Sequence, residues 1–176
     1  MSATLHKTAG GKAFLLRPAE EHDRESVRTL VELGGMVLPD DWQHGTVAVE
    51  ELQGGEAGNA LDAVIGYLRV QQTNKGPHVA PVAVLPSWQG QGVGRALMDN
   101  ALAQHGPLKL VSQGSAAGFY RAIGCTEISF DEISGDLEED CEACPDREAC
   151  QPVAFLYKGV GGNGVGGNGA GGEANG

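Results

Sequence analysis

The sequence predicts a single α/β domain in which a mixed β-sheet carries helices on its faces. Helical and strand patterns alternate in the middle of the chain, and strand pairs lie near both ends. A glycine-rich turn joins an apolar strand to a helix near the centre. The chain has 176 residues, of which 41% are hydrophobic and 20% charged, so it can bury a core of its own.

The first predicted elements are a strand and a helix. Phe14–Arg17 is a short apolar run that ends at Pro18. Acidic residues then favour a helix start, and Val27, Leu30 and Val31 recur at the spacing of one helix face. A pair of glycines follows, which ends this helix.

The next part of the chain predicts a short helix and three strands. The short helix would lie within Met36–Trp42. Runs rich in β-branched residues at Thr46–Leu52 and Leu61–Val70 predict an antiparallel hairpin with a turn over Gln53–Asn59. A third apolar run, Val79–Leu85, is again stopped by a proline.

The second half of the chain alternates between helices and strands. A helix begins at the glycine loop Gly90–Gly94 and precedes a strand at Leu108–Val111. A short helix over Ala116–Ile123 and two strands, Thr126–Phe130 and Val153–Tyr157, would complete the domain.

The folded domain is expected to span residues 1–158. Residues 159–176 contain ten glycines and no aromatic or long apolar side chain. Such a segment cannot bury enough apolar surface to offset the entropy lost on ordering. We therefore expect residues 159–176 to form a disordered tail rich in glycine and asparagine.

The charge distribution excludes several classes of partner. The formal net charge is −11, and no basic stripe is present that could neutralise phosphates, so we expect neither a nucleic-acid nor an anionic-membrane partner. No apolar run approaches the ~20 residues of a membrane span. Met1–Lys12 lacks the apolar region of a signal peptide, which predicts a cytoplasmic protein.

Acidic residues are concentrated in one segment. Asp131–Glu148 contains nine carboxylates and a single arginine. We expect a solvated loop there. The alternative is a local negative field that attracts cationic substrates.

The glycine loop between the predicted strand Val79–Leu85 and the next helix is the most informative segment. It reads Gln89-Gly90-Gln91-Gly92-Val93-Gly94-Arg95. Glycines let the backbone approach a ligand closely and adopt positive φ. Free N–H groups and the helix dipole then favour an anion, typically a pyrophosphate.

Two common phosphate-binding motifs do not fit this loop. The dinucleotide pattern needs a third glycine where Arg95 or Leu97 stands, and the nucleoside-triphosphate loop needs Gly-Lys-Ser/Thr at its end. The pattern that fits is Gln/Arg-x-x-Gly-x-Gly/Ala, filled by Gln89, Gly92 and Gly94.

This pattern resembles motif A of the GNAT (GCN5-related N-acetyltransferase) superfamily, which holds the pyrophosphate of acetyl-coenzyme A. Val84-Leu85-Pro86 precedes the loop at the family spacing. Arg17-Pro18-Ala19 looks like the end of the family's first strand. Gly118–Cys125 looks like its Phe-Tyr-x-x-x-Gly-Phe segment, with cysteine in place of the last phenylalanine. The resemblance covers roughly Leu15–Tyr157 and implies a mixed, mostly antiparallel central sheet with helices on both faces.

The resemblance also implies a cofactor site. The backbones of Val82, Ala83 and Val84 would pair with the pantetheine arm of acetyl-coenzyme A. The loop residues Gln89, Gly90, Gln91, Gly92, Val93, Gly94 and Arg95 would hold its pyrophosphate. The family often has an asparagine seven residues before its tyrosine, and this chain has Gln113, a longer side chain that can make similar hydrogen bonds.

Two catalytic residues are expected from the resemblance. Tyr120 matches the family tyrosine that commonly protonates the leaving sulfur, and an ordinary phenol pKa of ~10 keeps it protonated at neutral pH. Some members carry a glutamate on the strand before motif A, at the position of His78 here. A histidine can act as a base, but a surface histidine at a strand start is the alternative.

The four cysteines leave several interpretations open. Cys125 is expected to be a buried thiol. Cys141, Cys144 and Cys150 form a cluster whose spacing permits a zinc site or a redox-responsive loop, yet a closed site needs four ligands, so we expect no metal. The segment resembles a cysteine-bearing insertion of some amino-acid N-acetyltransferases.

The expected function is transfer of acetyl from acetyl-coenzyme A to a primary amine, by direct attack within a ternary complex. The acceptor would be a small amine or amino acid, although an acidic loop disfavours glutamate. Protein N-terminal or lysine acetylation is one alternative. A non-catalytic module that binds acyl-coenzyme A is another. A homodimer is possible, because dimers are frequent in the family.

Overall fold

The computed structural model describes residues 3–51 and 63–159, which form an eight-stranded sheet in the order β1-β2-β3-β4-β5-β6-β8-β7. All neighbouring strands are antiparallel except β5 and β6, which are parallel. The predicted mixed, mostly antiparallel sheet is therefore confirmed. The strands are β1 Thr4–Lys7, β2 Ala13–Pro18, β3 Thr46–Glu50, β4 Val64–Thr73, β5 Gly76–Val84, β6 Leu108–Ser112, β7 Thr126–Glu127 and β8 Val153–Tyr157.

Helices cover both faces of this sheet. The helices are α1 Arg24–Leu33, α2 Val93–His105, α3 Ala117–Ala122, α4 Gly135–Glu142 and α5 Arg147–Cys150. Side chains alternate across β3: Val47 and Val49 belong to the core cluster that contains α1, whereas Ala48 belongs to the cluster that contains α2 and α3. Each face of the sheet therefore has its own apolar core.

Several sequence-based expectations are corrected. Residues 36–41 form no helix, because Pro39 interrupts the segment, and only a 3₁₀ turn forms at Trp42–His44. The expected strand at Thr126–Phe130 shortens to Thr126–Glu127, and a 3₁₀ turn follows at Phe130–Glu132.

The acidic segment is not the loop that we expected. It forms α4 and α5, and Pro145 stands between them. Ser134 occupies the residue before α4, a position where a serine favours a helix start. A further strand, β1, was not anticipated, since three of its four residues are exposed and its sequence lacks an apolar run.

Two sequence-based predictions lie outside the described residues: the turn over Gln53–Asn59 and the tail from residue 160 onward. Within the part of the chain that is described, no helix combines the length and apolar character needed to cross a bilayer.

A buried ion pair joins β2 to the start of α1. Arg17 Nη1 lies 2.7 Å from Asp23 Oδ2, and Arg17 Nη2 lies 2.9 Å from Asp23 Oδ1. The backbone N–H of Glu20 also donates to Asp23 at 2.8 Å. Burial by itself would raise the pKa of Asp23, but the Arg17 and Glu20 hydrogen bonds outweigh burial and hold that pKa below its ordinary value. The pair thus fixes where α1 begins on the sheet.

We expect Asp23→Asn to lower the free energy of unfolding by about 3 kcal/mol, because it leaves Arg17 partly buried without its carboxylate. Urea unfolding at pH 7 measures the change. Glu25→Gln is the matched control, because Glu25 pairs with Arg28 on the exposed surface and should cost less than about 0.5 kcal/mol. Equal losses for the two variants would contradict a structural role for the pair.

Candidate active site

The central feature of the site is the point where β5 and β6 separate. The two strands pair at His78 and Lys109, and the described residues show no further pairing between them. Beyond this point a cleft of about 560 Å³ opens between Val79–Val84 of β5 and Leu110–Gln113 of β6 and its end. Strands that part inside a sheet leave backbone donors and acceptors available to a ligand.

The cleft connects the two faces of the sheet. Tyr120 and Ala116 line it and pack with the α2 core. Leu30 and Met36 also line it, but they pack with the α1 core on the opposite face. We call the second group, completed by Leu33, Val37 and Pro39, the α1 side of the cleft. Residues from both faces of the sheet thus line the cleft.

The edge of β5 that faces the cleft is held in place from β4. Val82, Ala83 and Val84 pair in antiparallel register with Leu68, Tyr67 and Gly66. An irregularity follows at Arg69, whose Nη1 donates to the carbonyl of Ala80 at 2.7 Å. β4 occupies one edge of Val82–Val84, and β6 has diverged from the other, so that second edge faces the cleft. There Gln89 Nε2 donates to the carbonyl of Val84 at 3.2 Å.

The glycine loop has the conformation that its composition predicts. Gly90 has φ +75° and Gly92 φ +87°, both in the left-handed region that favours glycine. Gly92 is the residue before α2, and the first helical hydrogen bond runs from Ala96 N to Gly92 O. The N–H groups of Val93, Gly94 and Arg95 therefore have no partner within the helix. A helix start with such N–H groups is of the kind that favours an anion, and it follows Gln89, which lines the cleft.

Close packing couples this helix to α3. A Cβ added to Gly94 would lie 2.8 Å from Cζ of Phe119, so the Phe119 ring of α3 would have to move. Phe119 precedes Tyr120, whose ring lies 5.7 Å from that of Phe155. The ring contacts place Tyr120 at the wall of the cleft, with 8% of its surface exposed.

Tyr120 is protonated throughout the neutral range. Burial, with a smaller contribution from the neighbouring Cys125, raises its pKa to about 12. A phenol of this kind can donate a proton to a strongly basic leaving group, and it cannot serve as a base at neutral pH. Its position and its pKa both suit a general acid.

His78 lies elsewhere than we expected. It is fully buried, which contradicts the alternative of a surface histidine. Its Nδ1 lies 2.9 Å from the carbonyl of Gly76, and its Nε2 accepts the N–H of Ser134 at 3.2 Å. The ring is therefore neutral, with the proton on Nδ1, and burial holds its pKa below the ordinary value. It joins β5 to the start of α4, and it is not among the residues that line the cleft.

The structure thus brings most of the predicted site residues together. Val82, Ala83, Val84, Gln89, Gln113 and Tyr120 line one cleft. Gly90, Gln91, Gly92, Val93, Gly94 and Arg95 follow Gln89 directly and form the adjoining loop and helix start. The sequence analysis did not identify most residues of the α1 side, because no sequence pattern distinguishes Leu33, Val37 and Pro39 from ordinary residues that follow a helix. Trp42 is buried and does not line the cleft, and the Tyr67 hydroxyl donates to its backbone carbonyl.

The cysteines form no metal site in the described part of the chain, where no group of three or more histidine, cysteine or acidic side chains could hold an ion. Cys125 is buried as predicted, and burial raises its pKa to about 12. Cys141, Cys144 and Cys150 are partly buried, free thiols on or beside α4 and α5.

The buried His78 predicts a pH-dependent stability. Its pKa lies below 6.5 in the folded protein, so the unfolded chain binds more protons as the pH falls below about 6.5. We expect the free energy of unfolding to fall with pH from there downward, which urea titrations between pH 8 and 5.5 would measure. His78→Gln should lack this component of the slope. His44→Gln, at a histidine that is 79% exposed, should keep it; an unchanged slope in His78→Gln would contradict the assignment.

Comparisons with known proteins agree with this architecture. Residues 41–126 match the family model of the acetyltransferase (GNAT) domain. An uncharacterized N-acetyltransferase of Chlorobaculum tepidum is 29% identical over 87 residues, which are 48% of this chain and 56% of that protein. The match thus spans about half the length of the curated relative.

Solved structures show the same fold. N-acetylglutamate synthase of Neisseria gonorrhoeae, solved with coenzyme A and N-acetyl-glutamate, aligns with a TM-score of 0.62 and 15% identity, over 82% of this chain and 35% of that one. Rv2747 of Mycobacterium tuberculosis, solved with CoA and NLQ, aligns with a TM-score of 0.53 and 18% identity, over 81% of this chain and 98% of that one. Residues 41–126 are thus similar in sequence to a GNAT acetyltransferase domain, and the described chain has the fold of these solved structures.

Proposed function

We propose that the protein is an N-acetyltransferase that moves acetyl from acetyl-coenzyme A to a primary amine within a ternary complex. The observation that carries this proposal is the cleft between β5 and β6, which reaches both faces of the sheet and contains Tyr120. One face offers an anion-binding helix start, and the other offers a separate entrance for an acceptor. Two ligands can therefore meet inside the sheet.

The chain's own residues fit acetyl-coenzyme A. The N–H groups at the start of α2, between Gly92 and Arg95, would hold the pyrophosphate. The edge of Val82–Val84 that faces the cleft would pair with the amides of the pantetheine arm, and Gln113 lines the same cleft. The superfamily match and the structural neighbours that bind coenzyme A support this assignment.

Acetyl-coenzyme A supplies an activated thioester carbonyl. The attacking amine forms a C–N bond at that carbonyl as the C–S bond breaks, and its nitrogen loses one proton. Tyr120, a phenol that is protonated at neutral pH, donates a proton to the departing sulfur, and the resulting phenolate takes a proton back from water. The N–H groups of the open β5 edge can hydrogen-bond the carbonyl oxygen as negative charge builds on it.

His78 is not suited to remove the amine's proton directly. Both ring nitrogens contact the protein, at Gly76 and at Ser134. Its role in this proposal is structural: it fixes the strand end from which the cleft begins. Proton loss from the amine is instead assigned to water.

We expect Tyr120→Phe to lower kcat by about 100-fold, because the leaving sulfur loses its general acid. The dissociation constant of acetyl-coenzyme A should change less than about twofold, because the ring still fills the cleft wall. Thiol release measures the rate, and isothermal titration calorimetry measures binding.

Tyr157→Phe is the matched control for this experiment. Tyr157 is fully buried and its hydroxyl hydrogen-bonds Asp99. It does not line the cleft. The variant should cost some stability and leave kcat per folded molecule unchanged. Equal activity of Tyr120→Phe and the parent would contradict the general-acid assignment.

We expect Gly92→Ala to weaken acetyl-coenzyme A binding by about tenfold. Its φ of +87° strains any residue with a Cβ, so the chain would move the N–H groups at the start of α2 away from the pyrophosphate. Gly11→Ala is a control with a similar φ of +81° in the turn between β1 and β2. It should lower stability without changing the dissociation constant. Equal binding by Gly92→Ala would contradict the assigned pyrophosphate site.

A further inference from the structure

We propose that the α1 side of the cleft binds an apolar primary amine in its uncharged form. The acceptor class is then an alkylamine or arylalkylamine without a carboxylate. This inference rests on the acetyltransferase function proposed above and concerns only the second substrate.

The first argument is the lining of the α1 side. Leu30, Leu33, Met36, Val37 and Pro39 supply it, and Leu137 of α4 adds another aliphatic side chain to the cleft. Leu33 and Val37 are 64% and 85% exposed, and they rank among the few large apolar side chains left exposed on the described surface. Apolar side chains left at a cleft mouth indicate an apolar ligand.

The second argument is the absence of charge. Among the described residues, none of those that line the cleft carries a charged side chain. A substrate carboxylate buried there would have no cationic partner, which is strongly unfavourable. An anionic amino acid is therefore a poor acceptor for this cleft.

Arg69 is a cation that contacts the wall of the cleft at Ala80, and its guanidinium already has partners. Its Nη1 donates to the carbonyl of Ala80 at 2.7 Å. Its Nη2 donates to Asp41 at 2.8 Å, and its Nε lies 2.7 Å from the same carboxylate. Only 10% of the Arg69 side chain is exposed. It holds β5 and the segment before β3 together and is not offered to a substrate.

The third argument concerns the amine itself. Tyr120 is the titratable side chain that lines the cleft in the described part of the chain, and with a pKa of about 12 it cannot accept a proton at neutral pH. Glu32 and Asp136 flank Leu33 and Leu137 in the sequence, but both are exposed and do not line the cleft. Since no carboxylate among the described residues lines the cleft to pair with an ammonium, the amine gives up its proton to water before it binds.

The pH dependence of kcat/KM should therefore be set by the pKa of the acceptor amine. We would measure thiol release from acetyl-coenzyme A with benzylamines whose pKa values are graded by ring substituents, and with glutamate, lysine and a short peptide. The expected result is at least a tenfold preference for the benzylamines over glutamate. The acidic limb of each pH profile should shift with the pKa of the amine used.

Two variants add a positive charge at exposed positions, one inside the cleft and one outside it. Val37→Arg places a cation on the α1 side at an exposed position, and should lower kcat/KM for benzylamine about tenfold while raising it for glutamate. Leu5→Arg makes the same change on β1, at a side chain that is 48% exposed and lies outside the cleft. It should leave both values unchanged.

The outcomes separate this inference from the function on which it rests. A preference for glutamate or for the peptide overturns the inference and leaves the acetyltransferase function intact. An acidic limb that stays at one pH for every amine also overturns it, because a protein base would then be titrating. Acetyl-coenzyme A binding without transfer to any of these amines overturns it as well. Failure to bind acetyl-coenzyme A overturns the proposed function itself.

Discussion

The divergence of β5 and β6 is the constraint on which the rest of this structure depends. A parallel pair at His78 and Lys109 holds the strands together, and past it they separate. Unpaired backbone is costly inside a sheet unless a ligand or water satisfies it. The antiparallel pairing of β5 with β4 on its other side allows the open edge to persist, so the cleft is built into the topology of the sheet.

The two faces of the sheet contribute different residues to this cleft. Glycines at the start of α2 and the packing of Phe119 on Gly94 set up the face where an anionic group can bind. The buried pair of Arg17 and Asp23 fixes α1 on the opposite face, where an apolar entrance forms. Each face has its own apolar core.

Local sequence signals recovered the parts of the site that depend on short-range geometry. The glycine loop, the strand before it and the position of Tyr120 on a short helix all follow from spacing and backbone preference. The acidic segment was misjudged, because charge density indicated a solvated loop while Ser134 and Pro145 delimited a helix. The sequence did not predict β1, because this strand is held by its pairing with β2 and not by a pattern of its own side chains.

The pattern of elements along the chain thus predicted the fold class, which the structure confirms. The helix start proposed for an anion and the proposed general acid were predicted from short segments, because their patterns lie within a few consecutive residues. Only the tertiary structure decided the environment of His78, whose ring contacts Gly76 and the distant Ser134. The same holds for the uncharged lining of the cleft, to which α1, the segment after it, β5, β6 and α4 all contribute. These properties depend on residues that are remote in the chain, and burial and charge at such points exist only after the chain has folded.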